Sequence, residues 1–461
     1  MFSAATYSQR RNQLRKNLAS GLALFLGNDE VGMNYAANTY HFRQDSNFLY
    51  FFGLDKPGLA AVIDLDEGGE TIFGDDISLD DVVWMGPQPT LSEQSARVGI
   101  RQTAPSASLP ALLKKAMEAG RTIHFLPPYR YANKFKLSEW LDIPVAALES
   151  KASTDFIKAV IAQRAYKSAE EVVELHKAVS MSAAMHTTAI KSAAPGKAEF
   201  TLAGIVHGVA LSLGGDLAYP IILSKDGQTL HNHYHGNILE DGDLVLGDFG
   251  AETPMHYAGD LTRTFPAGKK FSVLQKEVYN IVLNAQMAAL NALKPGVTYK
   301  EIHLLAAKKM TEGLNEFELM KGDPDEAVAA GAHAMFFPHG LGHMLGLDVH
   351  DMEDLGEDFV GYSETVKRSD QFGTAYLRLG RELEPGFVLT VEPGLYFIPE
   401  LIDMWRSEAK FKDFINYDKA EKFKQFGGIR IEDNVLITEN GYELLGKPLA
   451  KTIAEIEAMK S

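Results

Sequence analysis

The sequence predicts an α/β domain followed by an α+β domain whose curved, mainly antiparallel sheet carries helices on its outer face. Three observations lead to this prediction. The chain has 461 residues, which is enough for two or three domains of about 150 residues each. Its first third alternates apolar, strand-like runs with helical patterns, whereas the remainder combines long helices with strand-rich stretches that contain tight turns. We expect the boundary near residue 160, giving domains 1–160 and 161–461.

In the first domain, apolar runs predict strands and helical periodicity predicts helices. Strands are expected at residues 23–26, 59–63 and 122–126, and helices at 8–18 and 109–119. A long helical stretch then runs from residue 155 to about residue 177. Ser168 followed by Glu171 fits a capping box, so a new helix is expected to begin inside that stretch.

In the second domain, long helices separate short strands. Helices are expected at residues 169–194, 198–213, 272–293, 298–314 and 325–332, and strands at 244–249, 260–265, 387–392 and 429–437. The tight turns and the alternation within the strand-rich stretches favour antiparallel pairing.

Composition excludes several classes of function. The formal net charge of −16 disfavours nucleic acid or an anionic membrane as a partner, because both attract positive charge. No apolar run approaches the roughly 18 residues that a membrane helix needs. The chain has no cysteine, so any metal must be held by oxygen and imidazole. Residues 21–27 fit a buried strand better than a signal peptide, and we expect a cytoplasmic protein without nucleic-acid or membrane partners.

Two aspartates lie at the ends of apolar strands. Asp248 closes one run, and Asp260 comes twelve positions later. The residues between them can form a turn, so the strands can pair and bring the two carboxylates together. Alone, each aspartate fits a solvated turn better. Two carboxylates that face each other among apolar neighbours, however, require a cation between them.

Three histidines lie within twelve residues in a glycine-rich segment. His339 and His343 are four residues apart, but the two intervening glycines favour a turn over a helix. Such a turn can direct both imidazoles inward, and His350 follows closely. A further group begins at His231 and repeats at positions 233 and 235. If that group is extended, its rings share one face, and if it is a loop, one ring can be functional while the others are solvated.

Two glutamates lie in apolar strands near the C-terminus. Glu392 ends one strand and is followed at once by Pro393. Arg430 and Glu432 are two positions apart, so in a strand their side chains project from the same face. The alternative for Glu392 is a carboxylate facing water, and the alternative for the other two is a solvent-exposed ion pair on an edge strand.

Together these positions supply two aspartates, two glutamates and at least one histidine, mostly at strand ends and turns. This is a ligand set for two divalent cations about 3.5–4 Å apart. Carboxylate oxygens combined with one imidazole suit manganese, cobalt or zinc.

These motifs resemble those of the prolidase and aminopeptidase P family, which are dinuclear metallopeptidases with the pita-bread fold. The resemblance covers nearly the whole chain and includes residues 42–53 (FRQDSNFLYFFG), which look like that family's N-terminal domain. It implies that the metal ligands are Asp248, Asp260, His343, Glu392 and Glu432. Where the family separates the two aspartates by eleven positions, this chain has twelve, so we expect an extra residue in the turn near Pro254.

The resemblance also implies a mechanism. Two divalent ions, manganese first and cobalt or zinc as alternatives, would ionise a bridging water that attacks the Xaa-Pro bond. The catalytic groups would be Glu392, His339, His350, His231 and Arg430, and the substrate would be bound by Arg378, His350 and His231. Glu392 would move the proton, His350 and His339 would hold substrate and donate to the oxyanion, and His231 would help fix the proline side. Short proline-containing peptides would be the partners, and the protein would form a homodimer or a larger homo-oligomer.

The family has two branches, and two features favour the dipeptidases. Residues 397–425 resemble an insertion of the prolidases that compact aminopeptidases P lack. Arg378 resembles the arginine that clamps the free carboxylate of a dipeptide, a task that suits the forked guanidinium; its alternative is a surface salt bridge. We therefore expect an Xaa-Pro dipeptidase. The alternative is an Xaa-Pro aminopeptidase acting on longer peptides, and the remote alternative is a non-catalytic or non-peptidase pita-bread protein.

Overall fold

The computed structural model describes residues 1–461, which divide into two compact units. One unit comprises Met1–Arg164 together with Met352–Phe359. The other comprises Ala165–Asp351 and Val360–Ser461. The short stretch at 352–359 therefore belongs to the first unit although it follows a long part of the second.

The first unit contains a mixed sheet with helices around it. Its strands are β1 (Leu22–Leu26), β2 (Gly32–Tyr35), β3 (Asn38–Thr39), β4 (Ala60–Asp64), β5 (Glu70–Phe73), β6 (Gln102–Ala104) and β7 (Ile123–His124). Its helices are α1 (Ala4–Asn17), α2 (Ser46–Phe52), α3 (Leu79–Met85), α4 (Leu91–Arg97), α5 (Leu109–Glu118), α6 (Tyr131–Leu141), α7 (Leu148–Lys151) and α8 (Thr154–Arg164).

Five of these strands form one sheet in the order β6-β5-β4-β1-β7. The central pairs are antiparallel, and the two edge strands β6 and β7 are parallel to their neighbours. Leu24, Val62 and Phe73 point from the sheet into a core that is closed by Leu113 and Leu137 of α5 and α6. The predicted α/β character is confirmed. The strand predicted at 122–126 is shorter than expected because only two of its residues pair with β1.

The second unit contains short antiparallel strands and long helices. Its strands are β8 (Asp216–Leu217), β9 (Ile222–Ser224), β10 (Leu244–Asp248), β11 (Ala251–Glu252), β12 (Thr262–Pro266), β13 (Val388–Val391), β14 (Gly394–Tyr396), β15 (Gly428–Arg430), β16 (Asp433–Thr438) and β17 (Gly441–Leu444). The helices after residue 165 are α9 (Ala169–Ser192), α10 (Glu199–Ser212), α11 (Val273–Ala292), α12 (Tyr299–Glu316), α13 (Pro324–Ala330), α14 (Glu357–Gly361), α15 (Pro399–Ser407), α16 (Tyr417–Ala420) and α17 (Ile453–Met459).

The strands of the second unit pair antiparallel throughout, as predicted. Their orders are β12-β10-β9, β13-β16-β17, β14-β15 and β11-β8. Hydrogen bonds outside the ladders join two of these sheets: Arg430 N donates to Thr264 Oγ1 at 3.1 Å, and Glu432 N donates to Thr262 O at 3.0 Å. The curved sheet that the sequence predicts is therefore divided into several short ladders, two of which these hydrogen bonds connect.

Two predicted elements are each divided in the structure. The helical stretch from residue 155 becomes α8 and α9, and α9 begins at the capping box formed by Ser168 and Glu171, as predicted. The strand predicted at 429–437 becomes β15 and β16. The chain leaves the ladder with β14, passes through Ile431 and Glu432, and then joins the ladder with β13. Glu432 thus lies where the chain changes sheets.

Candidate active site and metal centre

Antiparallel pairing brings the two aspartates to the same end of one strand pair. β10 and β12 pair so that Asp248 lies opposite Thr262, two residues after Asp260. The hydroxyl of Tyr219 lies between the two carboxylates, donating to Asp248 Oδ1 at 2.6 Å and also contacting Asp260 Oδ1. Asn434 holds the backbone of Asp260 in place, because its Oδ1 accepts from Asp260 N at 2.9 Å.

His343 and Glu392 reach the same place from β13 and the segment that pairs with it. Thr390 N donates to His343 O at 3.0 Å, and Glu392 N donates to Leu341 O at 2.9 Å. His343 Nε2 then lies 3.3 Å from Asp260 Oδ2 and 3.5 Å from Glu392 Oε1. Its other ring nitrogen, Nδ1, lies 2.9 Å from the Met344 carbonyl oxygen. An N–H on Nδ1 donates to that oxygen and leaves the lone pair of Nε2 available to ligate a metal ion.

Glu432 completes the cluster from the change of sheets between β15 and β16. Its Oε2 accepts a hydrogen bond from Thr262 Oγ1 at 2.7 Å, whereas its Oε1 is buried and no protein group hydrogen bonds to it. The ligand atoms of Asp260, His343 and Glu432 lie within 4.8 Å of one another. All three side chains are buried.

The pKa values of this cluster are shifted because several acidic groups lie close together away from solvent. Burial, followed by the charges of the neighbouring carboxylates, raises the pKa of Glu432 well above its usual range. Burial also raises the pKa of Glu392 to about 7 and raises the pKa of Asp248, despite Arg430. Burial acts in the same direction on Asp260, but the hydrogen bond and charge of His343 outweigh it and lower the pKa of that carboxyl.

These observations fit divalent cations. Four carboxyl groups, three of them buried and that of Glu392 partly buried, cannot all ionise together unless positive charge compensates them. The positive charges of one histidine and one arginine do not balance four carboxylates, and Oε1 of Glu432 is buried without a hydrogen-bond partner. Oxygen ligands with one imidazole are the chemistry of divalent metal sites that contain no thiolate.

Arg430 supports the cluster rather than forming an exposed ion pair. It is 3% exposed, and its Nη2 bonds Asp248 Oδ2. Its Nη1 donates to the hydroxyl of Tyr396 at 2.7 Å, and that hydroxyl lies 2.9 Å from His339 Nε2. His339 Nδ1 is 2.7 Å from Gly340 O. Both ring nitrogens of His339 are therefore engaged within the protein, and burial lowers the pKa of this ring to about 3.

The other predicted residues lie around this core. His350 makes a T-shaped ring contact with His343 at 4.3 Å between centroids. His231 lies in an irregular segment, not in the extended strand that its alternation allows. The charge of Arg378 contributes to the lowered pKa values of both His231 and His339, so the three groups lie within electrostatic reach of one another. Arg378 is half-buried rather than a surface residue.

Several supporting residues are not predicted from the sequence. Strand periodicity offers a signal for three of them: Thr262, Thr390 and Asn434 each lie two positions from a predicted ligand and so share its face. Tyr219 carries no such signal, because it follows the two-residue strand β8 at a distance of 29 positions from Asp248. Its position depends on long-range folding alone.

Comparison with known proteins identifies the class to which this fold and site belong. The model of metallopeptidase family M24 matches residues 173–439, and the model of the aminopeptidase P N-terminal domain matches residues 7–124. The chain belongs to metallopeptidase family M24, among the Xaa-Pro peptidases. The predicted family and its pita-bread architecture are thereby confirmed, and the chain is a metal-dependent peptidase that binds divalent metal.

Individual relatives come from both branches of that family. The chain is 31% identical to Xaa-Pro dipeptidase of Homo sapiens over 97% of its own length and 90% of the relative's. It is 32% identical to Xaa-Pro aminopeptidase of Escherichia coli over 99% of its own length and 98% of the relative's. Among solved structures, aminopeptidase P from E. coli with the inhibitor Pro-Leu superposes with a TM-score of 0.81 at 31% identity, covering 100% of this chain and 98% of the other. None of the helices combines the length and apolar character needed to cross a membrane.

Proposed function

We propose that this protein is a dinuclear metal-dependent Xaa-Pro peptidase, and that it acts as an Xaa-Pro dipeptidase. The observation that carries the proposal is the cluster of Asp260, His343 and Glu432, in which Glu432 keeps one oxygen without a protein partner. Asp248 joins this cluster through Tyr219, and Glu392 joins it through its contact with His343. Asp248, Asp260, His343, Glu392 and Glu432 would hold the two ions. Manganese is the first choice, with cobalt and zinc as alternatives.

The bound ions would supply a water that ionises near neutral pH and polarise the scissile carbonyl. The protein's own groups do the rest. Glu392 accepts a proton at its carboxylate and delivers it to the departing proline nitrogen. That nitrogen belongs to a tertiary amide without an N–H, so the pocket must accept a ring rather than a donor.

The outer residues take separate roles in this proposal. His350, beside His343, holds the substrate and donates to the developing oxyanion. His339 has both nitrogens engaged by Gly340 and Tyr396, so we assign it to positioning instead of to oxyanion donation. His231 contacts the proline side of the substrate. Arg430 aligns Asp248 through its guanidinium.

Arg378 favours the dipeptidase branch. It is half-buried and within electrostatic reach of His231 and His339, which suits a guanidinium that binds the carboxylate of a C-terminal proline. The second candidate is an Xaa-Pro aminopeptidase. The observation in its favour is the full-length superposition on E. coli aminopeptidase P with a TM-score of 0.82. Cytoplasmic location and a homodimer or larger homo-oligomer stay predictions.

Metal dependence is tested by removing and returning the ions. Dialysis against a chelator should abolish hydrolysis of Gly-Pro, and Mn²⁺ should restore it, with two ions per chain by elemental analysis. Full activity in protein free of metal would contradict the proposal, and one ion per chain at saturation would contradict the dinuclear centre.

The two branches are separated by substrate length. Gly-Pro and Gly-Pro-Gly are assayed side by side with the metal-loaded protein. A dipeptidase should prefer Gly-Pro, because only there does a carboxylate follow proline directly. Efficient cleavage of the tripeptide with little turnover of the dipeptide would identify an aminopeptidase instead.

A further inference from the structure

The backbone around Arg378 is held closely on both sides. A Cβ on Gly340 would lie 2.7 Å from Leu377 Cα, and a Cβ on Gly361 would overlap the Arg378 carbonyl oxygen. The hydroxyl of Tyr362 donates to Leu377 O at 2.6 Å. These contacts fix the backbone of Arg378 beside the segment that carries His339. They do not involve the residues that precede Tyr376 in the loop.

That preceding part consists of partly exposed aromatic residues. Phe372 is 38% exposed and Tyr376 is 55% exposed. Their rings contact in a T-shape with centroids 6.0 Å apart. Between them, Gly373 adopts a φ of 86°, which turns the chain. Tyr376 lies two residues before Arg378. The contact between Phe372 and Tyr376 therefore restrains the loop that carries Arg378.

Phe372 packs against the insertion at 397–425. Trp405, in α15, is 1% exposed, and its ring lies 5.7 Å from that of Phe372 in a T-shaped contact. The ammonium of Lys410 lies 4.3 Å from the Trp405 centroid. Trp405, Phe372 and Tyr376 thus form a continuous series of edge-to-face aromatic contacts that runs from the insertion to the loop of Arg378.

The insertion is anchored independently of these aromatic contacts. Lys321 N donates to Phe414 O at 2.9 Å, and Asn416 N donates to Leu319 O at 3.0 Å. At its start, the ring of Phe397 makes a T-shaped contact with Phe336, outside the insertion, with centroids 5.6 Å apart. The insertion is therefore a fixed support, and the aromatic contacts connect it to the loop that carries Arg378.

We propose that Trp405 and Phe372 are positioning residues for Arg378, so that the insertion sets how strongly the site prefers a free carboxylate directly after proline. This inference rests on the proposed function, in which Arg378 binds that carboxylate. A guanidinium on an unsupported loop loses more conformational freedom when it binds, so its affinity is lower. Support from the insertion therefore strengthens binding of a dipeptide acid and leaves binding of an uncharged end unchanged.

The test compares two substrates that differ only in that charge. The ratio of kcat/KM for Gly-Pro to that for Gly-Pro amide is measured in the full-length, metal-loaded protein. Phe372→Ala and Trp405→Ala should lower the ratio about tenfold through the KM for Gly-Pro, as expected when a charged hydrogen bond is weakened. Phe372→Tyr should retain the ratio. Met404→Ala, on the same helix and 48% exposed, is the matched control.

Each outcome decides the inference. A folded Phe372→Ala variant with the wild-type ratio would overturn it, and so would equal losses on both substrates, which indicate a merely structural role. If Trp405→Ala does not fold, Phe372→Ala alone decides. A wild-type protein that treats the acid and the amide alike would refute the carboxylate clamp, and this inference with it. A wild type that prefers the acid beside unchanged variants would refute only the positioning role.

Discussion

At the scale of single residues, the site is organised around incomplete pairing. Glu432 has one oxygen satisfied by Thr262 and one oxygen that no protein group satisfies. Asp248, by contrast, is paired with Arg430 and Tyr219. A buried polar atom without a partner costs free energy. The unpartnered oxygen of Glu432 therefore costs free energy that a cation bound there would recover, whereas Asp248 is held by protein groups.

Replacing Glu432 by Ala should remove metal and activity together while leaving the metal-free fold intact. The variant loses a ligand but also loses a buried carboxyl whose pKa is raised by burial. Its melting temperature without metal should therefore equal or exceed that of the wild type, and the increase in Tm on adding Mn²⁺ should shrink. Elemental analysis, turnover and thermal unfolding provide the measurements. Glu439→Ala, an exposed glutamate, is the control, and unchanged metal content in Glu432→Ala would exclude it as a ligand.

Arg430→Lys should weaken metal binding although it preserves the charge. A single ammonium cannot make the separate contacts that the guanidinium makes with Asp248 and Tyr396. Losses of such supporting groups weaken metal affinity or activity about 10–100-fold. Calorimetric titration with Mn²⁺ measures the change, with Arg406→Lys at a 43% exposed ion pair as the reference. Wild-type affinity in Arg430→Lys would rule out this supporting role.

At the scale of elements, a buried ion pair connects the start of α9 to the loop that carries His350. Lys167 Nζ lies 2.9 Å from Asp351 Oδ2, and both side chains are 1% exposed. Asp351 Oδ1 accepts from Asp348 N at 3.3 Å, within the same loop. Because Asp351 directly follows His350, this pair helps to determine where that imidazole lies.

Lys167→Met should destabilise the protein strongly, by about 3–5 kcal/mol, because it leaves the carboxylate of Asp351 buried without its ammonium. The free energy of unfolding from urea titration measures this effect. Lys419→Met is the comparison, since its partner Glu318 is 79% exposed and a surface pair of this kind contributes about 0–1 kcal/mol. Equal losses in the two variants would mean that burial of the Lys167 pair carries no energetic weight.

At the scale of the whole molecule, sequence reasoning succeeds where chemistry and strand periodicity agree. Asp248, Glu392 and Glu432 interrupt apolar strands, and a carboxylate in that setting signals a special role. The pairing of β10 with β12 follows from the same pattern. The division of residues 429–437 into two strands cannot be predicted from that pattern, because both halves are apolar and differ only in their partner strands. Tyr219 likewise depends on contacts far apart in the chain.

The stability of the whole fold should fall in mild acid. Burial lowers the pKa of His303 to about 3 and that of His333 to about 4. The unfolded chain takes up protons at these rings near pH 6.5, whereas the folded chain does not. Their contribution to stability is therefore complete above about pH 6.5 and is lost progressively as the pH falls towards 4.

Urea midpoints of metal-free protein at pH 8 and pH 5 measure this loss. His303→Phe should narrow the difference between the two midpoints, because its ring cannot take up a proton in the unfolded state. Leu211→Ala, at a side chain that is 54% exposed and does not titrate, should leave the difference unchanged. A difference that is the same in His303→Phe and the wild type would assign the acid sensitivity to other groups.

The crossing of the chain at Glu432, between two ladders, couples backbone order to occupancy of the site. An ion held there by its carboxylate would restrain the short stretch of backbone that connects β15 to β16. Amide protons on either side of the crossing should therefore slow their exchange with deuterated solvent in concert on loading, although the ladders have different partner strands. Metal binding would then order the backbone of the second unit as well as supply the catalytic ions.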